Sequence, residues 1–201
     1  MKLILAFLVC FAAAAQGQEF AFEYWHEGRL VTEESDTLKG SIMYNLQSDL
    51  LQLKRADRLE TFTARKVVYF EIFDVTIKQY RVFYSLPFSA TGTQYKAAIF
   101  FELLEEGKMT LLCREALEYK NYSSFYYYGS YSRLVLVNKY FLLDEKGEIV
   151  PFTGNKNDWI YLMGNKGPEV QKYMKANKLD VDEKEELVKI VAFYNSLFKK
   201  G

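Results

Sequence analysis

The stretch KVVYFEIFDVTIKQYRVFYSLPF, residues 66–88, decides the fold class. Its first part, 66–74, is apolar on both faces except at Glu71, the pattern of a strand covered on both sides near the middle of a sheet. Its second part sets Tyr80, Val82, Tyr84 and Leu86 against Gln79, Arg81, Phe83 and Ser85 with a period of two, and the spacing predicts a strand that stops at Pro87. Two strands follow one another with no helical segment between them, which points to antiparallel pairing.

The same reading extends in both directions. FAFEYWHEGRLV (20–31) and DTLKGSIMYN (36–45) alternate around the turn residues of TEESD and form a hairpin, and LLQLK (50–54) is a further short strand. EEGK (105–108) lies between two apolar runs, with Gly107 able to take a positive φ at the turn, and DEKG (144–147) lies between KYFLL and EIVPF. Turns at these intervals predict an α+β protein, mainly β: an antiparallel sandwich or partly open barrel over residues 18–153, followed by a helical segment of two to three helices over 154–201.

In that tail the period changes. NDWIYLMG (157–164) reads as a short helix ended by Gly164, and Pro168 suits the first turn of the next. Asp182 and Glu185 form an expected capping pair for a last helix whose Leu187, Ile190, Val191, Tyr194, Leu197 and Phe198 fall on one stripe. GNKG (164–167) has the glycines of a phosphate cradle without its spacing or its Lys-Ser/Thr ending, so a helix stop and restart accounts for it.

MKLILAFLVCFAAAAQGQ (1–18) has one basic residue, an apolar run and then small and polar residues, the make-up of a secretory signal peptide; cleavage after Ala15 or after Gly17 fits equally. Its removal leaves Cys113 as the single cysteine, so no intrachain disulfide forms, and export without disulfides suits a bacterial envelope or periplasm. The formal net charge is zero, which excludes the basic footprint of a nucleic-acid binder, and no stretch after the leader has the length of a transmembrane segment.

Candidate chemistry is sparse. His26 is the only histidine, and it reads as structural rather than as a catalytic base. One histidine and one cysteine make no zinc site, and EESD (33–36) and DVDEKEE (180–186) lack calcium-loop spacing, so neither metal nor cofactor is expected. Cys113 alternates with Met109 and Leu111 onto one face and reads as a core residue. Glu23, Glu27, Glu71 and Asp74 are the acids in or beside apolar strands, the raw material of an alternative reading as a carboxylate-dependent hydrolase of a polysaccharide or peptide. Asn121-Tyr122-Ser123 matches an N-glycosylation acceptor, which matters only in a eukaryotic secretory route.

The densest aromatic stretch is NYSSFYYYGSYSRLVLV (121–137). Tyr122, Phe125, Tyr126, Tyr127, Tyr128 and Tyr131 are candidate partner-binding residues if the segment is exposed; the competing reading is a mobile connection between two strands whose rings partly cover the sheet.

GRLVTEESDTLKGSIMY, KVVYFEIFD with YRVFYSLPF, FFELLEEGKMTLLCRE, YFLLDEKGEIVPF and the helical KYMKANKLDVDEKEELVKIVAFYNSLF together resemble uncharacterised exported proteins common in Bacteroidetes. The resemblance spans nearly the whole chain after the leader. It implies an envelope or periplasmic location and a β-rich body with helices behind it, and it carries no activity and no catalytic residue. It also implies that residues 120–132 fill a variable slot between two strands, a place for a particular partner, an envelope protein or a surface glycan, more than for shared catalysis. The function expected is therefore a non-enzymatic binding or structural module.

Overall fold

The structure, a computed structural model, describes residues 24–89, 94–124 and 129–198. Among these residues, ten antiparallel strands form one continuous sheet: β1 His26–Thr32, β2 Thr37–Asn45, β3 Leu50–Arg55, β4 Arg58–Thr63, β5 Val67–Asp74, β6 Gln79–Phe88, β7 Ala97–Glu105, β8 Thr110–Ser124, β9 Gly129–Leu143 and β10 Ile149–Phe152. Their order is β10-β9-β8-β7-β6-β5-β1-β2-β3-β4, with β10 and β4 as open edges. Three helices follow: α1 Lys156–Leu162, α2 Gly167–Asn177 and α3 Lys184–Ser196.

The sheet is open but strongly curled. β2 and β7 stand four places apart in the sheet order, which in a flat sheet separates them by about 19 Å, yet the rings of Tyr44 and Phe100 lie 5.6 Å apart, centre to centre. The bend is built into Gly28 and Gly40, which face each other in the β1–β2 ladder. A Cβ on Gly28 would sit 2.3 Å from the Glu71 carbonyl oxygen, and one on Gly40 would sit 2.5 Å from that of Lys54. Only residues without a side chain allow strands to come this close at a corner.

Register puts Leu30, Ile42, Leu53, Phe70 and Phe83 on the concave face, where they and Tyr44 and Phe100 form one core. At the other end of the same face, Leu111 and Leu142 meet Trp159, Met163, Val170, Met174, Leu187, Ile190 and Val191 from the helices. Phe101, Leu112 and Phe141 make a smaller cluster on the convex face with Phe88.

β5 is central, as its composition predicts, but it is not covered on both sides: Phe70, Ile72 and Asp74 are buried, Tyr69, Glu71 and Phe73 between them are only half-buried, and Val68, beside a register shift against β1, is 45% exposed. β6 continues through Pro87, which pairs with Ala98, to Phe88. β4 is a strand that the sequence pattern does not single out, because RLETFT is polar at most positions. Gly107 has no positive φ. It is required for space instead, since a Cβ there would lie 2.5 Å from the Asn195 side chain. That amide accepts from the Met109 N–H at 2.8 Å and donates to the Met109 carbonyl at 3.0 Å, fastening the end of α3 to the β7–β8 turn.

The helical tail forms where expected, with one correction at a cap. Asn155 caps α1 through a reciprocal box with Asp158, and Gly164 at φ +56 ends that segment. The N-cap of α3 is Glu183, which makes no side-chain cap bond, and Asp182 does not pair with Glu185; Glu186 reaches back instead to accept from the Asp180 N–H at 2.6 Å. No helix among the described residues is long and apolar enough to cross a membrane.

Candidate functional site

Two places hold functional side chains: a charged seam on the concave face, and the outer part of the β8–β9 ribbon. The seam lies between the two cores of that face. Asp74 continues the phase of Ile72 on β5, Arg81 that of Phe83 on β6, Glu102 that of Phe100 on β7 and Glu115 that of Cys113 on β8. Register alone therefore sets an arginine among three acids on a buried face.

Arg81 makes four hydrogen bonds to carboxylates in this ring. Nε and Nη2 donate to the two oxygens of Glu102 at 2.9 and 2.8 Å, Nη1 donates to Asp74 at 3.1 Å, and Nη2 also reaches Glu115 at 2.8 Å. The two-pronged contact with Glu102 is the strong arginine–carboxylate geometry. Lys184, at the start of α3, adds a bond to Glu102 at 2.7 Å and lies 3.9 Å from Glu115, so helix and sheet share the network. Two clefts of about 320 and 280 Å³ flank Lys184, both lined by Ile77, Arg81 and Glu185.

Burial alone would raise the carboxyl pKa values, but bonds from Thr76 and Arg81 outweigh it at Asp74, and those from Arg81 and Lys184 outweigh it at Glu102. Both carboxyls stay below their usual range and are ionised at neutral pH. A general acid has to hold a proton there, so these two acids are built as ion-pair partners. The remaining sequence candidates do not join them. Glu27 accepts from Ser41 at 2.8 Å and Glu71 from Arg29 at 2.9 Å, both on the convex phase of the sheet, opposite to Asp74, and Glu23 lies outside the described residues.

Cys113 is fully buried, and burial pushes its thiol up to about 12, which suits a core residue and not a nucleophile. His26 is buried at the start of β1 opposite Ile42. Among the described residues, no group of three or more His, Cys, Asp or Glu is arranged to hold a metal ion.

The second place corrects the reading of residues 120–132 as a connection. The β8–β9 ladder runs without a register shift from Thr110↔Leu143 to Ser124↔Gly129, so Asn121–Ser124 and Gly129–Ser132 are paired strand. Both strands are fifteen residues long, about 50 Å of ribbon at 3.4 Å per residue. β7 accompanies β8 only as far as Cys113, and β10 accompanies β9 only back to Tyr140. Beyond those points the two strands have, among the described residues, only each other within the sheet.

Tyr122 and Tyr131 face each other across this ribbon with rings stacked, 5.4 Å between centres and 19° between planes. They are 39% and 59% exposed, and Tyr119, on the opposite face, is 75% exposed. Phe125, Tyr126, Tyr127 and Tyr128 lie outside the described residues. Asn121 is exposed on the same ribbon and accepts a bond from the Ser132 hydroxyl. Of the candidate binding residues, the structure thus brings Tyr122 and Tyr131 together. The seam was not anticipated from sequence, although a signal was present: Arg81, Glu102 and Glu115 each share the phase of buried neighbours on their own strand.

Compared with family models, with curated proteins and with solved structures, the chain matches none. The functional reading rests on the geometry of the ribbon and the seam.

Proposed function

We propose that this chain is an exported, non-enzymatic module of the bacterial envelope that holds a protein or a surface polymer through the outer part of the β8–β9 ribbon. The observation that carries the reading is the stacked, exposed Tyr122–Tyr131 pair on a ribbon that has no neighbouring strand among the described residues. Tyrosine offers a large, rigid contact area at low side-chain entropy cost. An extended two-stranded ribbon with apolar residues on both faces also gains from being covered, because hairpins standing alone are marginally stable in water. Export is supported by the leader-like MKLILAFLVCFAAAAQGQ and by a chain that does without disulfides.

Hydrolysis through carboxylates is the weaker alternative. The clefts beside Lys184 are lined by acids, but Asp74 and Glu102 are engaged by Arg81, and Glu27 and Glu71 occupy the other face.

The test uses the chain from Gln18 onward, immobilised and challenged with envelope extract and a panel of glycans. Retention of a partner by the wild type, lost in a variant with Tyr119, Tyr122 and Tyr131 all changed to Ser, is the expected result. Equal retention by the variant overturns the assignment to the ribbon. Release of reducing ends or peptides by the wild type, abolished by Glu102→Gln or Glu115→Gln, replaces it with the hydrolase.

A further inference from the structure

Beyond Cys113 the β7 side of β8 has no strand beside it among the described residues, so every second residue there turns its N–H and C=O outward. An edge of this kind is a template for another strand, and its charged side chains decide which strand it accepts. On β8 those charges are Glu118 and Lys120, of opposite sign and two positions apart on one face, with Tyr119 between them on the other; all three are exposed. An antiparallel copy of β8 paired about Tyr119 sets Glu118 of each chain opposite Lys120 of the other, so a single register satisfies both charges in both chains. Centred on Glu118 or on Lys120 instead, the ladder sets like charges face to face, which is unfavourable. The edge of β9 has no such self-matching register, because its charged side chains between Gly129 and Lys139, namely Arg133 and Lys139 itself, are both cationic.

We infer that two copies of this chain join edge to edge through the outer parts of their β8 strands, antiparallel and with a two-fold axis at Tyr119. The shared ladder runs from Ala116 to Tyr122, about 23 Å of strand, and sets Tyr119 against its own counterpart, an aromatic cross-strand contact. Ala116 falls opposite Tyr122, so a small side chain meets a large one. Within one chain Glu118 is engaged by Lys139 at 2.7 Å, but both side chains are about half exposed, and a surface pair of that kind contributes little and is readily exchanged. Because the axis stands perpendicular to the sheet, the two ribbons become one four-stranded ribbon with both Tyr122–Tyr131 pairs on the same face. The inference goes beyond the partner-binding reading and does not rest on it.

The chain from Gln18 onward, with no ligand added, is sedimented over a concentration series from micromolar to millimolar. The expected result is a reversible dimer, weakened at least tenfold by Glu118→Lys or by Lys120→Glu, each of which sets like charges opposite, and restored when the two changes are combined. The Lys139 contact is lost in Glu118→Lys and in the double variant alike, so it cannot produce the difference between them. Oxidation by copper phenanthroline should crosslink Tyr119→Cys into a dimer, since residues directly opposed on antiparallel strands stand about 4.5–5.5 Å apart, within reach of a disulfide. Leu117→Cys, whose opposite residue is Asn121, should not crosslink, and the buried Cys113 takes no part. Each variant should melt with the wild type in dilute solution, which separates loss of pairing from loss of fold. A monomer throughout the series overturns the inference. So does a dimer indifferent to both charge reversals, one that the double variant fails to restore, or one that Leu117→Cys traps as readily as Tyr119→Cys. None of these failures touches the partner-binding reading, because no partner is present.

Discussion

β8 is one strand in two environments. Its inner part pairs with both β7 and β9 over the buried Leu111, Leu112 and Cys113, and just beyond them delivers Glu115 to a guanidinium. Its outer part, from Glu118 to Ser123, is exposed and, among the described residues, pairs with β9 alone. The two parts share a ladder and a similar mixture of apolar and charged side chains. What separates them is the surroundings: the inner charges are enclosed in one hydrogen-bonded ring, and the outer ones stand on an exposed surface. Composition does not distinguish a residue that holds a fold together from one that is available to a partner; neighbours do.

The sharpest way to break this contrast is to remove the centre of the enclosed part. Arg81→Met leaves Asp74, Glu102 and Glu115 buried without their shared cation, and we expect a loss of about 3–5 kcal/mol of stability, measured by urea unfolding. A loss below about 1 kcal/mol would mean that the seam is no more than a surface pair.

Next in size is a paired test along β8. Leu111→Ala opens a cavity beneath the helices and should cost about 2–5 kcal/mol, while Tyr119→Ala should stay within about 0.5 kcal/mol. Similar losses at the two positions would show that the outer ribbon is packed after all.

Acid should act on the seam as well. Asp74 and Glu102 have folded pKa values below their unfolded ones, so their contribution is complete above about pH 4 and is lost as pH falls through the depressed folded values. The wild-type melting temperature should therefore drop below that pH. In Arg81→Met burial acts with less opposition, the carboxyl pKa values rise, and this part of the slope should flatten or reverse. An unchanged slope in the variant would remove the seam as its source.

The smallest expected effect is the most informative about function. Exchanging Tyr122 and Tyr131 together for Ser removes one exposed ring pair, worth about 0.5–1.5 kcal/mol, so the melt should barely move while partner retention disappears. A large shift in the melt would assign the rings to the fold.

Much of the fold was legible because strand period and turn chemistry are local. The alternation at 77–88 and the turns at 105–108 and 144–147 predicted strands and hairpins that the structure contains, and the helical stripe from Leu187 to Tyr194 is buried as its spacing required. The end of β6 was misplaced at Pro87 because a missing N–H disrupts a ladder only on the side where a bond is needed. The cap of α3 was misassigned because a capping pair read from spacing competes with the nearby Glu186, which found the Asp180 N–H instead. Residues 120–132 read as a connection because Ser and Gly interrupt alternation, whereas a hairpin ladder is held by backbone bonds indifferent to side chain.

The sequence by itself determined the class of the protein, the positions of most strands and helices, and the inward phase of Cys113, since each depends on residues within one element. Only the tertiary structure decided that the ten strands make a single curled sheet, that Gly28 and Gly40 form its corner, and that Arg81 draws acids from β5, β7 and β8 into one ring. Those outcomes depend on which strand lies beside which, and on the free energy of enclosing charge, quantities that belong to pairs of elements distant in the chain. The tyrosines of the ribbon lie between the two: their density is written in the sequence, and the pairing of Tyr122 with Tyr131 on an exposed face, beside Lys120 and Arg133, follows from the register of the ladder.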